Sequence, residues 1–214
     1  MSDIVKRSYR SDIRTARARE TRRRIIASAS ELFIAAGYGA TSVDAIAERA
    51  GVSRKTVFNA VGGKAEILAL ALDWAIAGDD EPVPFAERPD LVALLRLDHP
   101  GRLLDAWAAV LADIDARVAD LHAAVEAAAG VDPTAHALFA RLQSQRREGA
   151  QVVVDALDAL DGLRERMPRA EAVDLACLFS EPMMYRRLVG DRGWSATRFQ
   201  RWLATTLREQ LLRT

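Results

Sequence analysis

The sequence holds a single cysteine, Cys177, so it can form no internal disulfide and suits a reducing compartment. No stretch approaches the roughly 20 consecutive apolar residues that a transmembrane helix needs, which removes the membrane as a partner. The opening MSDIVKRSYR has no apolar h-region of the kind a secretory signal carries. A cytoplasmic protein is the expectation. Alternating β-branched residues are scarce, which argues against strands. There is no Gly-rich phosphate loop, no nucleophile elbow and no metal-ligand spacing, and His99, His122 and His136 lie too far apart for a local metal motif. The chain therefore reads as a non-enzyme with no cofactor and no metal. Acidic residues 79–81 read as a solvated loop.

The formal net charge is zero, yet the charges are unevenly placed. Residues 1–64 carry 13 Lys+Arg against 6 Asp+Glu, and residues 65–214 carry 17 against 24. All three lysines, Lys6, Lys55 and Lys64, lie in the first part. A basic head on an acidic body suggests that the head meets a polyanion and the body does not, although charge runs are often only solvated faces.

Nearly every segment has helical period. Residues 1–16 are polar, basic and aperiodic, and read as a flexible arm. From Arg17 a helix begins, with Ile25, Ala29, Leu32, Phe33 and Ala36 on one face and Gly37 as its stop. Short helices follow at about 43–50 and 54–60, capped by Thr41 or Ser42 and by Ser53, and broken by Gly51 and Gly62-Gly63. A longer helix spans about 64–76. Residues 78–90, acidic and with three prolines, form a boundary loop. Beyond it, helices are expected at about 89–97, 100–116, 117–129, 133–160, 168–189 and 195–212, with a kink at Pro182. The fold class is all-α. The implied organisation is an arm (1–16), a DNA-binding domain (17–63), a connecting helix (64–77) and a helical regulatory and dimerisation domain (78–214).

The chemistry sits in residues 43–62, VDAIAERAGVSRKTVFNAVG. Two short helices crossing steeply need a small residue at the crossing and a glycine in the turn, here Ala47 and Gly51. Ile46, Ala50, Val52 and Val57 can lock them together, which projects the second helix outward toward a major groove. Arg54, Lys55, Thr56 and Asn59 on that helix are donors suited to phosphates and base edges. Thr41 and Ser42 lie at a helix N-terminus where a phosphate can be held, and Gly62-Gly63-Lys64 opens the next helix in the same way. Upstream, Arg14, Arg17, Arg19, Arg22, Arg23 and Arg24 can follow the DNA backbone or enter a minor groove.

The stretch from Arg24 to Leu68 resembles the DNA-binding domain of TetR/AcrR-type transcriptional regulators. The residues that carry the resemblance are Ala29, Leu32-Phe33, Gly37-Tyr38, Thr41-Ser42, Ile46-Ala47, Ala50-Gly51-Val52-Ser53, Thr56, Phe58 and Lys64. About a fifth of the chain is covered. The resemblance implies an N-terminal three-helix DNA-binding domain with a helix-turn-helix, joined through the fourth helix to a helical ligand-binding and dimerisation domain. It also implies a homodimer on a near-palindromic double-stranded operator, and a small-molecule inducer that releases a repressor. Members usually carry Tyr where Phe58 stands and His-Phe where Ala60-Val61 stand. Phe58 keeps the packing but lacks a hydroxyl for phosphate. Control by a protein partner, or action as an activator, remains the alternative.

The body is less legible. Stripes on 133–160 (Leu138, Phe139, Leu142, Val152, Val153, Ala156, Leu157, Leu160) and 195–212 (Phe199, Trp202, Leu203, Thr206, Leu207, Gln210, Leu211) could pair two subunits, or could face their own core. Trp107, His122, Phe139, Arg141, Cys177, Met183 and Tyr185 are the residues that could line an inducer pocket, and each could equally be ordinary core.

Overall fold

A computed structural model describes the backbone of residues 2–213 and the side chains of 14–213 except Phe85. Among these residues helices joined by loops make up the chain, and the one β pairing is an isolated antiparallel bridge between Leu163 and Leu212. The helices are α1 (Ser2–Ala40), α2 (Val43–Arg49), α3 (Arg54–Ala60), α4 (Lys64–Ala77), α5 (Pro89–Leu94), α6 (Pro100–Ala129), α7 (Pro133–Ala159), α8 (Arg169–Phe179), α9 (Pro182–Tyr185) and α10 (Ala196–Leu211).

Several boundaries correct the sequence reading. The stretch 1–16, read as an aperiodic arm, is helical in backbone from Ser2, because none of the first 36 residues is Gly or Pro and extending a formed helix is easy. Gly37 breaks the regular helix as expected, at φ +79°. The two helices expected over 100–129 are one, α6, since nothing between Gly101 and Gly130 interrupts it. The single kinked helix expected over 168–189 is two: α8 ends at Phe179, and Pro182 opens α9 from a first-turn position where its missing N–H leaves no partner unmet. A π-turn, Arg186–Asp191, follows.

Two cores share α6. The first joins Ile25, Ala29 and Phe33 of α1, Ile46 of α2, Val57 of α3 and Ile67, Leu68 and Leu72 of α4 to Leu121 and Val125 of α6 and Leu142 of α7. The head is thus packed continuously onto the body. The second core joins Leu103, Leu104 and Trp107 of α6, Val153, Val154 and Leu157 of α7, Val173 and Ala176 of α8, and α10. Phe199, Leu203, Leu207 and Leu211 of α10 are fully buried within this one subunit, so that stripe faces its own core. On α7, Val153 and Leu157 are likewise buried while Val152 stays exposed.

Candidate functional site

The head is assembled from its caps inward. Ser42 accepts a hydrogen bond from the Ala45 N–H at 3.1 Å and starts α2, and Ser53 accepts one from Thr56 at 3.1 Å and starts α3. Between them Gly51 takes φ +63°, while a Cβ there would meet nothing within 4 Å. The turn needs glycine for its backbone, not for space. The Val52 N–H returns to the Ala47 carbonyl at 3.0 Å, which tightens the turn against the crossing point. Ile46 and Val57 are fully buried there.

With Val57 turned inward, α3 turns Arg54, Lys55, Phe58 and Asn59 outward, at i, i+1, i+4 and i+5. Phe58 is 45 % exposed, so much of the ring stands outside the core in which the sequence reading expects it to pack. Arg54 lies 5.5 Å over that ring and bonds Asp44 of α2 at 2.7 Å, so its guanidinium is held at the edge of the face. Thr56 is half-buried, its hydroxyl 2.8 Å from Ser53 Oγ.

The remaining residues expected at DNA are occupied within the protein. Thr41 is buried and donates to the Gly37 carbonyl at 2.8 Å, closing the end of α1. Lys64 donates to the Tyr38 carbonyl at 3.0 Å and lies 4.2 Å over the Tyr38 ring. At the N-terminus of α4, where the sequence reading puts a phosphate, the Glu66 carboxylate comes within 3.1 Å of where a Gly63 Cβ would stand. Arg22 donates to the Ala60 carbonyl at 3.0 Å, capping the last turn of α3. Arg23 bonds Asp80, beyond α4, at 2.8 and 2.5 Å.

In the body, several candidate residues lie around one buried polar group: His122 and Phe139 meet, Cys177 feels the charges of Arg146 and Glu181, and Tyr185 feels that of Asp115. Trp107 is core, and Tyr185 packs edge-on against Phe199 with ring centres 5.0 Å apart. Arg141 is exposed, bonds Asp73 of α4 at 3.1 Å, and edges a groove of about 320 Å³ between α4 and α7, with Tyr38, Leu68 and Leu138. Cys177 and Met183 are half-buried. His122 is buried and leads to a polar group the sequence reading missed. It faces Phe139, ring centres 5.5 Å apart, and its Nε2 receives Arg146 Nη2 at 2.9 Å. Arg146 also bonds Glu181, in the break between α8 and α9. Asp115, two turns before His122 on α6, is 1 % exposed. Asp115 Oδ2 and His122 Nδ1 are buried without a hydrogen-bond partner.

Burial dominates the electrostatics of this cluster. It pushes the Asp115 carboxyl up to about 8, against the pull of Arg146 and with a further push from Glu181. Burial also takes His122 down to about 4, helped by the Arg146 charge, and raises Glu181. The signal was in the sequence: Ala108, Ala112, Asp115, Ala119 and His122 recur at core spacing, and two of those five are titratable.

Residues 25–71 match the model for bacterial regulatory proteins of the tetR family. Over 76 residues, 36% of this chain, the sequence is 41% identical to an uncharacterized HTH-type transcriptional regulator, TtgW, of Pseudomonas putida, covering 54% of it. It is also 41% identical over 76 residues to the HTH-type transcriptional regulator SrpR of the same species, covering 34% of it. The match thus spans about half of one relative and a third of the other. Whole-chain likeness is to solved structures at low identity and concerns the fold. The transcriptional regulator FadR from Bacillus subtilis in complex with stearoyl-CoA has a TM-score of 0.66 at 15% identity, covering 86% of this chain and 96% of that one. A Saccharomonospora viridis regulator in complex with choline has 0.65 at 18%, covering 91% and 99%.

Proposed function

We propose that this chain, which carries the N-terminal domain of the tetR family of bacterial regulatory proteins, is a dimeric, sequence-specific DNA-binding repressor that a small molecule releases from its operator. The observation that carries the reading is the outward face of α3, Arg54, Lys55, Phe58 and Asn59, set on a hinge whose Ile46 and Val57 are fully buried. That face fits a major groove: Lys55 can meet a phosphate, Asn59 a base edge, and the Phe58 ring a thymine methyl. The first and second of these roles need an exposed helix and a rigid support, and α3 has both.

Two subunits would place their α3 helices in successive grooves about 34–36 Å apart. The exposed apolar side chains Val152 of α7 and Leu178 of α8 support a pairing surface there. Release by an effector is supported by the polar cluster of Asp115, His122, Arg146 and Glu181, whose two unmet buried atoms could be satisfied by a bound molecule. A ligand there would act only through its different affinity for the two states of the protein. The test is operator selection from a random duplex pool, followed by release with candidate small molecules. Recovery of a near-palindromic site supports the reading, and recovery of no preferred sequence contradicts it.

A further inference from the structure

The carboxylate of Asp80 is enclosed by two arginines of another helix. Its side chain is only 4 % exposed although it sits in a loop. Arg19 donates to it from Nε and Nη2, both at 2.6 Å, and Arg23 from Nε at 2.8 Å and Nη2 at 2.5 Å. Arg19 also reaches Glu81. Both arginines belong to α1, and Arg22 between them reaches the C-terminal end of α3. Each fork is partly open to solvent, 42 % and 51 % exposed.

Where Asp80 stands is decided by the body. Arg117 of α6 donates to the carbonyls of Ala75 at 2.7 Å and Ile76 at 3.2 Å, gripping the last turn of α4. Gly78 follows at φ +86°, and a Cβ there would lie 3.4 Å from the Arg117 guanidinium carbon. Asp79 is pinned by Arg88 at 2.8 and 2.9 Å. The end of α4, and with it the loop that carries Asp80, is thus tied to α6 by Arg117.

A carboxylate offers an arginine fork two coplanar oxygens, as a phosphate does. We propose that Arg19 and Arg23 are a DNA-phosphate-binding pair that Asp80 masks, and that the mask is set by the body through Arg117. This rests on the DNA-binding reading above. Both guanidiniums stay partly open to solvent, so a phosphate can reach them when Asp80 withdraws. The pair would add phosphate contacts without adding sequence preference.

The test uses the full chain and a fluorescein-labelled random-sequence duplex of about 30 base pairs, titrated between about 50 and 200 mM salt. Asp80→Asn is expected to lower Kd and to steepen the dependence of log Kd on log salt by about 0.9 for each arginine released. Adding R19A and R23A to D80N should abolish both changes, whereas mere loss of a negative charge would leave the gain in place. If D80N fails to fold, R117A replaces it: without the grip on the Ala75 and Ile76 carbonyls the mask loosens, and the slope should again steepen. An unchanged slope in a folded variant, or a gain that survives in the triple variant, overturns the proposal and leaves the DNA reading standing. No binding of any duplex by the wild type overturns both.

Discussion

Arg146 of α7 donates from Nη2 to Nε2 of His122 on α6 at 2.9 Å. A guanidinium has only donors, so Nε2 must accept and the imidazole proton lies on Nδ1. That N–H is buried with no acceptor. Two turns earlier, Asp115 Oδ2 is unmet as well. The body therefore carries a donor and a carboxyl oxygen inside itself at the point where α6, α7 and the break before α9 converge.

The two groups give stability a pH signature. Asp115, raised to about 8, holds its proton in the fold while the unfolded chain has lost it, so its contribution is complete below about 4 and is lost as pH rises through 8. His122, lowered to about 4, stays neutral in the fold, so its contribution is present above about 6.5 and is lost as pH falls through 4. The effects oppose each other between these limits. From pH 6.5 to 8 His122 no longer opposes Asp115, whose contribution should lower the unfolding free energy by up to about 1.4 kcal/mol per pH unit. Urea unfolding at pH 6.5 and pH 8 measures this. Asp115→Asn should flatten the slope, and a flat wild-type slope would count against the burial of an acid there.

The head depends on its caps and hinge. Ser42→Ala and Ser53→Ala should each destabilise by about 1 kcal/mol, since each removes the acceptor for a first-turn N–H. Ile46→Ala should cost about 2–5 kcal/mol, because the side chain is fully buried between α2 and its neighbours. Denaturant midpoints at constant m-value read both. An Ile46 variant as stable as the wild type would mean the hinge is not packed as described.

Leu178 on α8 is 55 % exposed in the single subunit. In the proposed dimer it is covered, and Leu178→Glu should convert dimer to monomer by light scattering without loss of helix content. A variant that remains dimeric would move the pairing surface elsewhere.

Lys55 and Asn59 should separate affinity from specificity. Lys55→Ala should weaken all duplexes alike and reduce the salt slope by about 1, whereas Asn59→Ala should relax preference at one base pair by about 1–3 kcal/mol. Binding to a panel of single-base operator variants distinguishes them.

The head was largely legible in the sequence because local chemistry fixes it: Ser42 and Ser53 cap, Gly51 and Gly37 turn, and Ile46 and Val57 lie at helical spacing. Charge alone did not show what the basic side chains meet within the protein. Arg22, Arg23, Lys64 and Thr41 looked available to phosphate, but each meets a partner from 4 to 57 residues away, and all but the Thr41 contact lie at separations no local pattern reveals. The stripe of α10 was ambiguous for a similar reason. An apolar face states that it is covered, not by what, and here its own α6 covers it. Asp115 could have been noticed from its core spacing, but the company of Arg146 and Glu181 depends on how three helices meet.

The most direct test of the central claim is fluorescence anisotropy of the purified full chain on DNA flanking its own gene, across a salt series. Tight, sequence-dependent binding that weakens steeply with salt, and that Lys55→Ala makes less steep, is the predicted result. Binding equal for every duplex, or unaffected by Lys55→Ala and Asn59→Ala, would contradict the assignment of α3 as the element that reads DNA.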